Sequence, residues 1–298
     1  VNILVTGAAG QLGSYLLDEL SCEHNVRGID LKSPKVEAHS DMISLIDIRD
    51  SERVMRECEW ADVVVHAAAQ VSVEKSIEDP LLDAEINIIG TLNMLRSSFI
   101  TGVDLFVYIS SAAVYGDPKY LPVDEAHPTN PKSPYGISKL AGEEYVRSFG
   151  ECHDLDYFII RPFNFYSLRA DPRSPYSGVI TKFVQRIKAG EPIVIEGDGE
   201  QTRDFIHAID VAYMIKLAID SPVRNLVLNC GSGRGTSINE LAEVLASICG
   251  DVEVMRAKSR EGDIRHSVAD ISLARDFLGF EPRISLYEGL KAFFENGA

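Results

Sequence analysis

Three side chains carry the first chemical signal. Tyr135-Gly136-Ile137-Ser138-Lys139 sets a phenol and an amine four positions apart, and on a helix such positions share a face. A tyrosine of ordinary pKa, ~10, is a poor base at neutral pH. A cation beside it favours the phenolate. Ser111 closes the apolar run Tyr108-Ile109-Ser110-Ser111, twenty-four positions before Tyr135. At the end of a strand its hydroxyl could hydrogen-bond the same substrate oxygen that Tyr135 deprotonates. Alone, a YxxxK pair is a common helix-surface feature. What gives it weight is its company.

That company begins with Thr6-Gly7-Ala8-Ala9-Gly10-Gln11-Leu12-Gly13, between a short apolar run and a helix-like segment. Gly7 permits a tight turn, Gly10 lets backbone approach a pyrophosphate, and Gly13 lets the helix pack close to the sheet. The helix N-terminus then offers free N–H groups and a partial positive charge to phosphates. Asp30 lies seventeen positions past Gly13. A carboxylate there accepts the adenosine ribose hydroxyls and repels a 2′-phosphate, which favours NAD over NADP. Lys32 nearby keeps the phosphorylated cofactor open, and Asp30 could also be a solvated turn residue. Asp47 and Ile48 close a further strand, where they could meet the adenine amino group and cover its ring. An oxidised nicotinamide near Tyr135 would add to the pull of Lys139 on the phenol.

The elements that must position these groups are legible as a rhythm. Apolar runs recur at 2–6, 26–30, 42–46, 62–66, 104–110 and 157–161, with helical spacing at about 11–20, 51–58, 80–100 and 134–149. Continuous Val/Ile-rich runs suit strands covered on both faces, and their alternation with helices predicts βαβ units around a parallel sheet. The expected fold class is α/β, a Rossmann-type doubly wound parallel sheet with a smaller mixed α/β lobe. Residues 1–165 form the dinucleotide-binding domain and 166–298 mainly the second lobe, with about 207–229 rejoining the first. The start, Val1-Asn2-Ile3-Leu4-Val5, has no basic flank or long apolar run. It is expected to be a buried strand, neither leader nor membrane span, and the expected location is cytoplasmic. Forty-five acidic against twenty-nine basic residues give a net charge of −16, which argues against nucleic acid as a partner. Cys22, Cys58, Cys152, Cys230 and Cys249 show no metal-ligand spacing, so no metal is expected.

Further motifs complete the pattern: His66-Ala67-Ala68-Ala69-Gln70, Asn87 in Ile86-Asn87-Ile88-Ile89-Gly90-Thr91, Ser110-Ser111-Ala112-Ala113-Val114-Tyr115-Gly116, Arg161-Pro162-Phe163-Asn164, Gln201-Thr202-Arg203-Asp204-Phe205 and Arg260-Glu261-Gly262-Asp263. Over nearly its whole length the chain resembles the extended short-chain dehydrogenase/reductase family, in its NAD-dependent nucleotide-sugar epimerase/dehydratase branch. The resemblance implies epimerisation at C4 of a UDP-sugar, such as UDP-glucose and UDP-galactose, through a transient 4-keto sugar. It implies catalytic roles for Tyr135, Lys139 and Ser111. It implies an NAD channel lined by the glycine turn with Gln11 and Leu12, by Asp30, Leu31, Lys32, Asp47 and Ile48, by Ala67, Ala68, Ala69, Gln70, Asn87 and Ser110, and by Pro162 and Phe163. Asn164, Arg203 and Arg260 would hold the sugar-nucleotide diphosphate, a task suited to the planar donors of arginine. Asp263 would sit beside the uridine ribose. Ser267 would stand at the pocket wall beside the sugar 2-position, small enough for an acetamido group.

Within that branch, 4,6-dehydratases carry an Asp-Glu pair where this chain has Ala112 and Ala113, which cannot move protons. Another nucleotide-sugar enzyme (a reductase, a decarboxylase or a uronic-acid epimerase) and a catalytically silent NAD-binding regulator are the alternatives. One departure is Tyr166-Ser167-Leu168-Arg169, where the family usually has Tyr-Gly-Pro-Arg. The resemblance also implies a homodimer through residues 80–100 and 134–149, with Ile86, Ile89, Leu92, Leu95, Leu140 and Tyr145 offered as apolar residues beyond the core-facing side.

Overall fold

The computed structural model describes residues 1–171, 178–259 and 264–295. The first half alternates as read from the sequence: β1 (Asn2–Thr6), α1 (Gln11–Ser21), β2 (Asn25–Asp30), β3 (Ile43–Leu45), α2 (Ser51–Cys58), β4 (Val63–His66), α3 (Val73–Glu78), α4 (Pro80–Ala84), α5 (Thr91–Thr101), β5 (Leu105–Ile109), α6 (Pro134–His153) and β6 (Asp156–Pro162). The second half holds β7 (Asn164–Tyr166), α7 (Val179–Lys188), β8 (Ile193–Glu196), β9 (Thr202–His207), α8 (Ala208–Asp220), β10 (Leu226–Cys230), β11 (Gly235–Ser237), α9 (Ile238–Cys249), β12 (Val254–Ala257), α10 (Ser272–Leu278) and α11 (Leu286–Glu295).

Seven parallel strands form the central sheet in the order β10-β6-β5-β4-β1-β2-β3. This is a Rossmann-type doubly wound fold. Its strands read as unbroken apolar runs because alternate residues enter different cores. Ile3, Val5, Val63, Val65, Leu105 and Val107 pack with α1 and α8. Leu4, Val64, Phe106 and Tyr108 pack with residues of α2 and α5 on the other face. The strand order reverses between β1 and β4, and the crevice beyond their carboxyl ends is where such sheets bind ligands.

The segment after β9 returns to this layer. α8 lies along α1, and β10 pairs with β6 at the sheet edge. The remaining elements build a smaller mixed lobe. β9 pairs with β7 in parallel and with β11 antiparallel, and β12 pairs with β8. No helix among the described residues is long and apolar enough to cross a membrane.

Two expectations need correction. Residues 80–100 are not one regular helix. Between α4 and α5 the segment Glu85–Gly90 winds as a π-helix, whose wider turn shifts the faces that follow. Ile86 packs on the core and Leu95 lies fully inside it. Leu140 likewise packs on a buried cluster around Tyr115 and Phe163. The exposed large apolar residues of segments 80–100 and 134–149 are Leu81, Ile89, Phe99, Ile100, Ile137 and Tyr145.

Candidate active site

The glycine turn joins β1 to α1 at the reversal of strand order. Gly7 has φ +68°, and a Cβ there would fall 2.8 Å from the Ala68 backbone. A Cβ on Gly13 would overlap the Gly7 carbonyl, and one on Gly10 would stand 2.9 Å from it. Backbone therefore comes closer here than side chains allow, leaving the start of α1 at Gln11 and Leu12 open as a phosphate cradle. Asp30 ends β2 and braces the turn: its carboxylate accepts from the N–H of Ala9 at 3.0 Å and of Lys32 at 2.9 Å. Leu31 and Lys32 are exposed beside it. Asp47 is held by Arg49, with Nη2 at 2.7 Å, and this pairing keeps its carboxyl below the usual range. Ile48 is buried against Gly90.

Across the crevice, Ala67, Ala68 and Ala69 leave β4 partly buried. Below them His66 is fixed between Thr6 and Thr91 at 2.8 and 3.0 Å. Burial, helped by the charge of Lys139, depresses its pKa to about 3. Gln70 and Asn87 clasp each other: the Gln70 N–H donates to Asn87 Oδ1 at 2.8 Å, and Asn87 Nδ2 donates to the Gln70 carbonyl at 3.0 Å. Asn87 sits within the π-turn. Such turns are frequent at functional sites.

The catalytic candidates converge at the carboxyl end of β5. Ser133 caps α6 and Pro134 opens it, which puts Tyr135 in the first turn. The partial positive charge of that helix end favours a phenolate. Ser111 hydrogen-bonds the Tyr135 phenol. Burial still raises the Tyr135 pKa; Ser111 works against the rise and Asp83 adds to it. Lys139, one turn on, is 4% exposed, and its Nζ stands 4.6 Å from the Tyr108 ring centre. Burial lowers its pKa to about 8, against the pull of Glu143 and Asp83. An ammonium with that value remains mostly protonated at pH 7.

Ser110 braces α6: its hydroxyl donates to buried Glu143 at 2.5 Å and its N–H to the Ile160 carbonyl. Glu143 also takes Arg161 Nε and Nη2 at 2.8 and 2.6 Å, and Arg161 Nη1 donates to the Tyr115 hydroxyl at 2.9 Å. Glu143 and Asp83 escape a reading by motif, and Arg161 enters the sequence reading only as the start of its motif, without a task. The only sequence signals of the two carboxylates are four-residue spacings, Asp83 to Asn87 and Lys139 to Glu143.

Pro162 and Phe163 run from β6 toward the second lobe, with Phe163 buried against Tyr115. Asn164 is exposed on β7, in register with Phe205 of β9, two positions along from Arg203. Arg203 Nη1 donates to the Thr202 carbonyl at 2.8 Å. Ser267 is half-buried, and its N–H donates to that same carbonyl at 3.2 Å, so it lies beside the strand of Arg203. Buried Asp204 ties this region together by accepting from Ser232, Gly233 and Ala269. Arg260 and Asp263 lie outside the described residues. The departure at Ser167 has a structural consequence. Its buried hydroxyl bonds the Tyr15 phenol on α1, and Arg169 stacks 4.1 Å over that ring while pairing with Asp18 at 2.6 Å.

Comparison with known proteins bears on the family and the fold. The pattern of the NAD dependent epimerase/dehydratase family matches residues 3–231. A UDP-glucose 4-epimerase of Thermotoga maritima, crystallised with UDP-glucose, is similar at 38% identity and TM-score 0.94 over 99% of both chains. A UDP-N-acetylglucosamine 4-epimerase of Methanobrevibacter ruminantium, in complex with UDP-N-acetylmuramic acid, is similar at 35% identity and TM-score 0.93, over 100% of this chain and 99% of that one. A UDP-glucose 4-epimerase of Thermus thermophilus, in complex with NAD, is similar at 32% identity and TM-score 0.90 over the full length of both.

Proposed function

The chain belongs to the NAD dependent epimerase/dehydratase family and is an epimerase-type isomerase that uses NAD, and from that premise we propose that it interconverts UDP-glucose and UDP-galactose at C4. The observation that carries the reading is the contact of Ser111 with the Tyr135 phenol, one helical turn from buried Lys139, with Ala112 and Ala113 following the serine. A base and its orienting hydroxyl are at hand, and no acid stands where water elimination needs one.

In this reading Gly7, Gly10, Gln11, Leu12 and Gly13 cradle the NAD pyrophosphate, and Asp30 takes the adenosine ribose, flanked by Leu31 and Lys32. Asp47 and Ile48 border the adenine. Ala67, Ala68, Ala69, Gln70 and Asn87 line the channel, and Pro162 and Phe163 close its nicotinamide end. The contribution of Ser110 is to hold α6. Bound NAD supplies a reversible two-electron acceptor and, in its oxidised ring, a positive charge beside the phenol. Ser111 orients the sugar 4-hydroxyl, and Tyr135 Oη takes its proton and returns it. The ammonium of Lys139 offsets the phenolate charge. Asn164, Arg203 and Arg260 hold the diphosphate, and Asp263 the uridine ribose. That anchor lets the 4-keto sugar turn over without leaving the site.

A specific feature extends the range of sugars. Ser267 lies beside the strand of Arg203 with a small side chain, which leaves room for an acetamido group at the sugar 2-position. The protein is proposed to pair as a homodimer through residues 80–100 and 134–149, where Ile89, Phe99, Ile100 and Tyr145 are exposed. Isologous dimers are the commonest oligomers. The experiment is incubation with a panel of UDP- and dTDP-sugars, with products separated by chromatography. Failure to interconvert the two UDP-hexoses rejects the proposal, and a light-scattering mass near 32.8 kDa at micromolar concentration rejects the dimer.

A further inference from the structure

Asp83 is a carboxylate at 1% exposure with no task in the site so far. Its Oδ1 accepts from Gln70 Nε2 at 2.9 Å and from Asn87 Nδ2 at 3.1 Å. Both donors are neutral amides. Glu143, a second buried carboxylate beside Lys139, is instead matched by Arg161. The Asn87 amide also reaches Ser138 Oγ at 3.1 Å, so a single side chain bridges Asp83 to the turn of α6 that carries Tyr135 and Lys139. A buried charge held only by neutral groups is costly unless an opposite charge lies near.

The groups around Lys139 come from several elements. Tyr135 and Glu143 share α6, Asp83 comes from α4, Tyr108 from β5, neutral His66 from β4, and Arg161 of β6 stands behind Glu143. Asp83 and Glu143 are the anions that favour the ammonium. Since Arg161 offsets Glu143, the unmatched negative charge is that of Asp83.

We infer that Asp83 is a positioning residue of the active site, the fixed counter-charge of the Tyr135–Lys139 pair, locked by Gln70 and Asn87 to the cofactor channel. The inference rests on the proposed roles of Tyr135 and Lys139. It gives the carboxylate two effects of one sign: it keeps Lys139 protonated, and it restrains the ionisation of Tyr135 that the ammonium promotes.

Asp83→Asn preserves an acceptor oxygen for both amides and removes the charge. Tyrosinate absorbance is titrated in NAD-loaded protein, and the Tyr135 step is isolated by subtracting the titration of Tyr135→Phe in the same background. The step is expected to move to lower pH by about one unit in Asp83→Asn. A step at the parental pH overturns the inference, because a purely structural role would not move it. Should Asp83→Asn not fold, Asp83→Ser carries the same comparison with the same two outcomes. Turnover of Tyr135→Phe judges the base assignment separately. Parental turnover there rejects that assignment, whereas an inactive Tyr135→Phe together with an unmoved step rejects the counter-charge alone.

Discussion

Replacing Glu143 by Gln removes one charge from a cluster that water does not reach. Glu143 is fully buried and Arg161 is 2% exposed. The carboxylate accepts from Ser110 Oγ, from Arg161 Nε and Nη2 at 2.8 and 2.6 Å, and from Arg147 Nη2 at 3.1 Å. A glutamine keeps one acceptor oxygen, turns the other position into a donor facing donors, and leaves the Arg161 guanidinium without a counter-charge. Breaking a buried pair in this way costs ~3–5 kcal/mol, a large part of a typical folding stability of ~5–15 kcal/mol. With a urea slope of ~3 kcal/mol per M, the unfolding midpoint falls by roughly 1–1.7 M. Removing both charges with Glu143→Leu and Arg161→Met together behaves differently. It spares the desolvation cost of the pair; the Tyr115 hydroxyl keeps Asn229 and Arg147 keeps Glu144, so mainly the Ser110 hydroxyl has to find a new partner, at ~1–3 kcal/mol at most. The double variant is therefore expected to be more stable than the sum of its single variants by about 2 kcal/mol or more. Urea unfolding of the parent, both single variants and the double variant measures this directly. Single variants costing under ~1 kcal/mol, or strictly additive costs, would refute the view that this pair frames α6 against β5 and β6.

The remaining expectations concern chemistry and pH. Tyr135→Phe is expected to retain NAD, seen in the ultraviolet spectrum of the denatured protein, while turnover drops ~100- to 10,000-fold; activity within threefold of the parent would count against the base. Asp30 is expected to make NAD bind at least about tenfold tighter than NADP, and equal affinities by calorimetry would assign control to Lys32. Ser267→Tyr is expected to lower activity on UDP-N-acetylglucosamine by roughly ten- to a hundredfold through overpacking while sparing UDP-glucose; equal losses on both sugars would remove Ser267 from the pocket wall. His66 is buried with its pKa lowered to about 3, whereas an unfolded imidazole titrates near ~6.5. The unfolded chain binds the extra proton first, so this contribution to stability is complete above pH ~6.5 and is lost as pH falls toward 3. A His66→Gln variant should show a flatter acid limb in thermal denaturation between those values, and an unchanged limb would mean that other groups carry the acid sensitivity.

The parts of this molecule that could be read from its sequence are those whose reason is local. Ile3-Leu4-Val5 and Val63-Val64-Val65 read as buried strands because a sheet covered on both faces needs apolar side chains at every position. Tyr135 and Lys139 are legible because one helical turn joins them, and the glycine turn because its crowding leaves no space for a Cβ. The carboxylates were not legible in the same way. Asp83 and Glu143 look like the solvated charges of any amphipathic helix, and only donors brought from β5, β6 and the segment after β4 make them interior groups. The π-turn at Glu85–Gly90 is equally silent, since Ile86-Asn87-Ile88-Ile89 fits a regular helix. Yet the wider turn carries Asn87, which bonds Gln70, Asp83 and Ser138 at once. Ser110 shows the same limit at a single residue. Both serines end one strand, but alternation along the backbone sends one hydroxyl to Glu143 behind the sheet end and the other to Tyr135 in front of it. What the sequence leaves open is therefore the second layer of the site, the charges and amides that hold the reacting groups, because those depend on elements far apart in the chain.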